Sequence, residues 1–286
     1  MRIRREPESN YFAIFHNGKT FRFAINASLP ITQLRHPEIL DCAITAKCYA
    51  DCPWCYVSSV KEGKHYSNIV VKAREIFGNL DLDQRPFQIA IGGEGEPTLH
   101  PDFIPFLKSI AELEIVPNYT TNGMHLSDEI LKATKEFCGG VAVSCHPHLE
   151  KVWRKAANQL IQAGIATCLH IIVGEYGTSE KFWQIYDSTD GIYCYVALPY
   201  QAVGRAKEID VEPEWNCFFR EAMKLTPSDL AVGAPFHSFL LKHPEIVKTL
   251  GISMYDPEIL SGYIILDDDY KTLLVSSYNQ IPRGEK

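Results

Sequence analysis

The chain has 286 residues, 46% of them hydrophobic, with 28 Lys and Arg against 35 Asp and Glu, a formal net charge of -7. That length suits one sizeable catalytic domain with small additions, and the charge offers no broad electrostatic attraction for nucleic acid. No apolar run approaches the ~18 to 20 residues of a membrane span. The start Met1-Arg-Ile-Arg-Arg-Glu lacks the apolar core of a secretion signal, so nine cysteines read as reduced thiols of a cytoplasmic protein.

Residues 11–26 form the first patterned stretch, two β-rich arms about Asn17-Gly18, a two-residue hairpin signal. A short apolar run at 39–45 follows and reads as a buried strand. Directly after it comes Cys48-Tyr-Ala-Asp-Cys52-Pro-Trp-Cys55, a C-x3-C-x2-C spacing that gathers three thiolates and no fourth. A four-iron cluster held by three cysteines keeps one iron open to another ligand. The alternative, a zinc knuckle, needs a fourth Cys or His at ligand spacing and usually a matching second pair. No second C-x2-C exists, and His65 is not at ligand spacing.

Further strands are expected at 87–91, 115–119, 141–144, 167–173 and 192–198. Amphipathic segments lie between them. In one, Phe103, Phe106, Leu107, Ile110 and Leu113 share a helical face after Asp102, an N-cap candidate. Another opens with Ser127-Asp128-Glu129, acids at the positive end of the helix dipole, and ends at Gly139-Gly140. A third carries Val152, Trp153, Ala156, Ala157, Leu160 and Ile161 and stops at Gly164. From the second strand on, strand starts recur about every 25 to 28 residues, the length of a β-α unit in a parallel sheet. Six such strands are fewer than the eight of a closed barrel.

Barrel enzymes place their chemistry at the C-terminal ends of strands. The cysteine loop falls there, as do Gly92-Gly93-Glu94-Gly95-Glu96-Pro97 after the second strand and Thr121-Asn122-Gly123 after the third. Glycines let a backbone pass close to a ligand, and a carboxylate can accept from a cationic amino group; an ordinary strand-to-helix turn is the alternative. After later strands stand His146, His148 and Glu175, acid-base candidates or else solvated loop residues. Cys145, Cys168 and Cys194 sit in or beside strands, where a free cysteine behaves as a small buried hydrophobe; a hydrogen-donating thiol is the sharper alternative. The catalytic candidates are therefore His146, Glu175 and Cys145. Beyond the sixth strand, helical stretches at 212–225 and 234–250 precede a hairpin-like pair, 262–266 and 271–276, about Asp267-Asp-Asp.

The cysteine spacing, the Gly-Glu-Pro turn and the Thr-Asn-Gly turn, in that order, resemble the signature of the radical S-adenosylmethionine (radical SAM) superfamily. The resemblance covers roughly residues 37–205 by motif. It implies an α/β fold, a partial (β/α)6 TIM-like barrel, with a 4Fe-4S cluster on Cys48, Cys52 and Cys55 and SAM chelated at the open iron. Trp54 then lies near the adenine, while Gly93, Gly95 and Glu96 meet the methionyl amino group. Glu96 is preferred over Glu94 because the proline after it belongs to the family pattern. Thr121 and Asn122 belong to the next motif, and Ser144 faces the methionine carboxylate or ribose. His170 and Gly174 line the adenosyl group, with Leu198 near adenine and Gly204-Arg205 beyond. For Ser144 and His170 a hydrogen-bonded barrel residue is the alternative.

The implied activity is reductive cleavage of SAM to a 5′-deoxyadenosyl radical that abstracts hydrogen from substrate, fed by a low-potential donor such as flavodoxin or ferredoxin. An Arg-rich start and hairpin resemble the leading segment of maturases that modify peptides or proteins, or else plug the barrel bottom. A peptide or protein side chain is thus the first substrate expectation, a small molecule or nucleotide the alternative, and a non-catalytic metal-binding or scaffold protein the second alternative. The expected organisation is a hairpin segment over 1–36, the barrel over 37–210, and a small α+β extension over 211–286. That extension resembles a SPASM or twitch region, but no cysteine follows Cys217. Residues such as Ser261, Ser276 and Ser277 stand there instead, so no auxiliary cluster is expected.

Overall fold

Alternation along each strand organises the molecule. In Thr167–Val173, Thr167, Leu169, Ile171 and Val173 are buried while Cys168, His170 and Ile172 are only partly so. A strand's side chains point alternately to opposite faces, so one face packs on helices and the other lines an interior space. The structure is a computed structural model and describes residues 1–174, 177–254 and 256–277.

Three strands, β1 (Arg2–Glu6), β2 (Tyr11–His16) and β3 (Lys19–Ala24), make a small antiparallel sheet. The larger sheet contains β4 (Ile39–Ala43), β5 (Gln88–Ile91), β6 (Val116–Thr121), β7 (Gly140–Ser144), β8 (Thr167–Val173), β9 (Cys194–Pro199), β10 (Leu230–Val232) and β11 (Ser261–Ile265). Its order is β10-β9-β8-β7-β6-β5-β4-β11, with every pairing parallel. The fold is α/β, a curled, partial TIM-like barrel. The six strands expected from the sequence form its centre, and two more from beyond residue 211 extend both edges.

Helices α1 (Ile69–Gly78), α2 (Phe103–Glu112), α3 (Asp128–Phe137), α4 (Glu150–Gln162), α5 (Ser179–Asp187) and α6 (Glu212–Leu225) cover the outer face. Phe103, Phe106, Leu107 and Ile110 of α2 and Trp153, Ala157 and Leu160 of α4 are essentially buried against Ile91, Tyr119 and Val143. Each large apolar side chain so buried contributes about 1.5–3 kcal/mol. Ser127 caps α3 by accepting from the Ile130 N–H at 3.3 Å. Asp102 occupies the N-cap position of α2, yet its side chain makes no capping bond; its own N–H donates to His100 Nδ1 instead. Among the described residues no helix is long and apolar enough to cross a membrane.

The hairpin at residues 11–26 is present as β2 and β3 joined at Asn17-Gly18, and β1 adds an unexpected third strand. Its inner residues Tyr11, Ala13 and Phe15 pack with Leu34, Phe87 and Leu260. Arg2 donates to the carbonyls of Pro86 and Glu114, and Arg4 to those of His36 and Asp83. All these positions precede barrel strands, so the small sheet lies across the barrel's N-terminal end.

The C-terminal pair departs from expectation. Residues 261–265 do form a strand, but it pairs parallel with β4, Tyr263 opposite Asp41. Of the expected hairpin only an antiparallel bridge between Tyr263 and Leu274 forms, with reciprocal N–H···O contacts of 2.9 and 2.7 Å.

Candidate active site

Three loops meet at the C-terminal ends of β4, β5 and β6. Backbone bonds tie the cysteine loop in place: Cys48 N–H to Val60 O at 3.0 Å and Ala46 N–H to Lys64 O at 2.9 Å. The Gly-Glu-Pro turn then locks onto it, Glu96 N–H donating to Lys47 O at 2.8 Å and Gly95 N–H to Ser59 Oγ at 3.0 Å. Only glycine permits this approach, since a Cβ on Gly95 would stand 2.2 Å from the Thr45 carbonyl oxygen. From the far side, the turn after β9 closes in, and Arg205 N–H donates to Cys55 O at 3.0 Å.

Glu96 joins the loops to one another. It is 2% exposed, and one carboxylate oxygen accepts from the hydroxyls of Thr98 (2.7 Å) and Thr121 (2.9 Å) while the other accepts from Asn122 N–H (2.7 Å). Burial pushes its carboxyl up from the ordinary glutamate value, and these donors pull it back. Glu94, its rival in the sequence, takes no part in this network and accepts from the Tyr66 hydroxyl at 2.5 Å.

The thiols of Cys48, Cys52 and Cys55 face a cavity of about 590 Å³. Burial raises the Cys48 thiol, although Ala50 N–H (3.4 Å) and Asn122 Nδ2 (3.6 Å) point donors at its sulfur. Burial, then the neighbouring Cys48 and Cys55, push Cys52 up to about 12. Such thiols stay protonated at neutral pH until a bound metal displaces the proton. The donor set, three cysteine thiols on one cavity wall, is of the kind that holds a 4Fe-4S cluster with one iron open.

The same cavity gathers the other residues singled out in the sequence. Trp54, Gly93, Gly95 and Glu96 line it, as do Thr121 and Asn122. Ser144, His170 and Leu198 reach it from inward positions of β7, β8 and β9. Burial lowers His170 to about 4, so its imidazole is neutral at pH 7. His146 also lines the cavity and is likewise lowered to about 4, by burial and then by His148. Trp54 packs edge-on against His148, ring centroids 5.4 Å apart. His148 itself braces the cysteine loop, its Nε2 donating to Ala50 O at 2.8 Å. Cys145 is on the wall too, with its thiol raised by burial. Gly174 packs against Tyr200, and Glu175 lies outside the described residues.

Sequence reasoning gave several lining groups no place in the site. Asp41, Tyr56 and Tyr200 line the cavity, and residues from beyond 211 supply another stretch of wall, including Pro235, Glu258, Ser261, Ser276 and Ser277. Asp41 carried a signal, a lone charge inside the apolar strand Ile-Leu-Asp-Cys-Ala. The C-terminal wall carried none, because it depends on where β10 and β11 pair.

The profile of the radical SAM superfamily matches residues 43–188, just over half of the 286 residues. No curated protein matches the sequence. Among solved structures, Streptococcus suis SuiB bound to S-adenosylmethionine superposes with a TM-score of 0.65 at 16% identity, covering 85% of this chain and 61% of SuiB. SuiB bound to its precursor peptide SuiA gives 0.65 at 13% identity, covering 89% and 64%. The protein anSMEcpe with bound AdoMet and Cp18Cys peptide gives 0.58 at 13%, covering 85% and 75%. The chain thus spans less than two thirds of SuiB, and at these identities the likeness is one of fold.

Proposed function

The chain belongs to the radical SAM superfamily, enzymes whose cofactors are a 4Fe-4S cluster and SAM, and we propose that it uses them to modify a peptide or protein side chain. When bound, these cofactors supply one-electron cleavage of SAM to a 5′-deoxyadenosyl radical able to take hydrogen from an unactivated carbon. What supports the reading is one observation: the three thiols, the Gly93–Glu96 turn, Asn122 and the inward side chains of β7 to β9 share a single cavity.

On this reading Cys48, Cys52 and Cys55 hold the cluster. Glu96 has one oxygen with a single donor, which leaves it able to accept from the methionyl ammonium while Thr121 and Asn122 fix its position. Ser144, His170 and Leu198 bound the nucleoside, and Trp54 with His146 keeps water from the cysteine loop. Neutral His170 offers a hydrogen bond without adding charge. A flavodoxin or ferredoxin delivers the electron.

About 590 Å³ is ordinary for a small-ligand site and too little for a folded domain. What favours a peptide side chain is the fold likeness to SuiB and anSMEcpe, both known with peptides bound. The test is anaerobic reconstitution followed by dithionite and SAM. Wild type should turn brown and release 5′-deoxyadenosine, and Cys52→Ala should do neither. Full cleavage by Cys52→Ala overturns the assignment. Mass spectrometry of peptides encoded beside the gene, before and after turnover, then checks the substrate class.

A further inference from the structure

Asp41 stands on the cavity wall with no charged partner among the described residues. It lies mid-strand in β4, between Leu40 and Cys42, which are buried on the helix side. Its own side chain lines the cavity. Burial is the one influence on its carboxyl, which no hydrogen bond or ion pair from the described residues reaches. Its register partners are Ala90 of β5, which has no side-chain donor, and Tyr263 of β11, whose buried hydroxyl makes no hydrogen bond to it.

The rest of the wall does not compensate. Asp41, Glu94, Glu96 and Glu258 are its acids, and among the described lining residues there is no Lys or Arg. Glu94 is engaged by Tyr66, and Glu96 by Thr98, Thr121 and Asn122. The two histidines with lowered values, His146 and His170, are neutral at pH 7. Asp41 is half-buried on the cavity wall, and a carboxylate that loses much of its water is costly unless a cation or donors meet it. Among the described residues none meets Asp41, and its open side is the cavity.

We propose that Asp41 is a substrate-binding residue that receives a cationic group of the substrate, an ammonium or guanidinium. This rests on the reading of the cavity as a radical SAM active site, because that reading gives the ammonium of SAM to the Glu96 turn and so leaves Asp41 for the second ligand. A substrate carrying a carboxylate or phosphate beside Asp41 meets a like charge and is disfavoured. A neutral isostere loses the charge-assisted bond, which corresponds to about 10- to 100-fold in affinity.

The experiment uses reconstituted enzyme with SAM and no reductant. Binding is measured for two matched pairs, N-acetyl-lysine methylamide against N-acetyl-norleucine methylamide, and cyclohexylamine against cyclohexanol. A preference for the lysine compound identifies a peptide side chain; a preference confined to cyclohexylamine identifies a small amine; either supports Asp41 as the cation site. Asp41→Asn should erase the preference and Asp41→Glu should keep most of it. Equal or absent binding of the charged and neutral members, or a preference that survives in Asp41→Asn, overturns the proposal. SAM cleavage by the same wild-type preparation separates the two claims. Cleavage without charge preference retires only the role of Asp41, and charge preference without cleavage retires the radical chemistry alone.

Discussion

Replacing Asp41 by Asn should stabilise the substrate-free enzyme, increasingly so as pH rises. The half-buried carboxyl moves from 3.8 to about 6 through loss of water alone. The folded state therefore prefers the protonated form. That advantage is complete below the unfolded value near 4 and is lost as pH climbs through 6. Each pH unit between the two values corresponds to 1.36 kcal/mol, so the ionised carboxylate costs the fold about 3 kcal/mol above pH 7 and about half of that at pH 5. Asn has nearly the same shape and no charge to desolvate. In a chain of this size a difference of about 3 kcal/mol moves the melting midpoint by about 5 to 10 °C. Anaerobic thermal unfolding of both proteins at pH 5 and pH 8 checks this, and other titrating groups cancel in the comparison. A midpoint gap that is absent, reversed or the same at both pH values would show that the carboxylate has a partner, and the reasoning about its vacant charge would fail.

Two other perturbations probe the loops. Glu96→Gln puts an amide nitrogen where Asn122 N–H or a threonine hydroxyl now finds an acceptor; the loss should be about 1–3 kcal/mol, read as a lowered melting midpoint, and an unchanged midpoint refutes the pinning role. Gly204→Ala places a Cβ 2.3 Å from Tyr56 O and 2.6 Å from Cys55 O at a φ of +66°, so the cysteine loop must give way. Iron per chain should fall by about half or more, whereas Gly251→Ala, at φ +63° with nothing within 4 Å, should leave it intact; equal iron in both variants counts against the contact.

The loops at the strand ends were legible because their chemistry is local. Three cysteines within eight residues, a glycine-rich turn with Glu96, and Asn122 before a glycine each carry their meaning in adjacent positions, and the β-α rhythm sets them at one end of a sheet. Asp41 was harder to see. The run 39–45 reads as a strand buried on both faces, as parallel strands usually are, and a lone acid within it gains significance only once the inner face is known to border a cavity. Residues 261–265 illustrate the non-local case. Ser-Gly-Tyr-Ile-Ile is a good strand in either partnership, and nothing within it distinguishes a hairpin with 271–276 from parallel pairing with a strand more than 200 residues earlier.

That distant pairing bears on why the cavity exists. A closed eight-stranded barrel fills its interior with layers of branched side chains. This sheet stays open between β10 and β11, and its inward positions include Ala90, Thr120 and Ser144, too small to fill the space. An open sheet exposes edges that invite wrong pairing. Here β10 has only three residues, and the free side of β11 is met by the bridge to Leu274. The chain then runs on to Ser277, whose Oγ lies 3.4 Å from the Tyr56 hydroxyl, itself bonded to Gly93 O at 2.9 Å. One short segment thus guards a sheet edge, touches the cysteine loop and the glycine turn, and supplies cavity wall through Val275, Ser276 and Ser277. The motif loops carry the proposed cofactor contacts, while the wall beyond residue 211 depends on edge pairing that differs from one sheet to the next. On this division the cofactors are readable from short motifs, and the substrate is read from the wall that edge pairing builds.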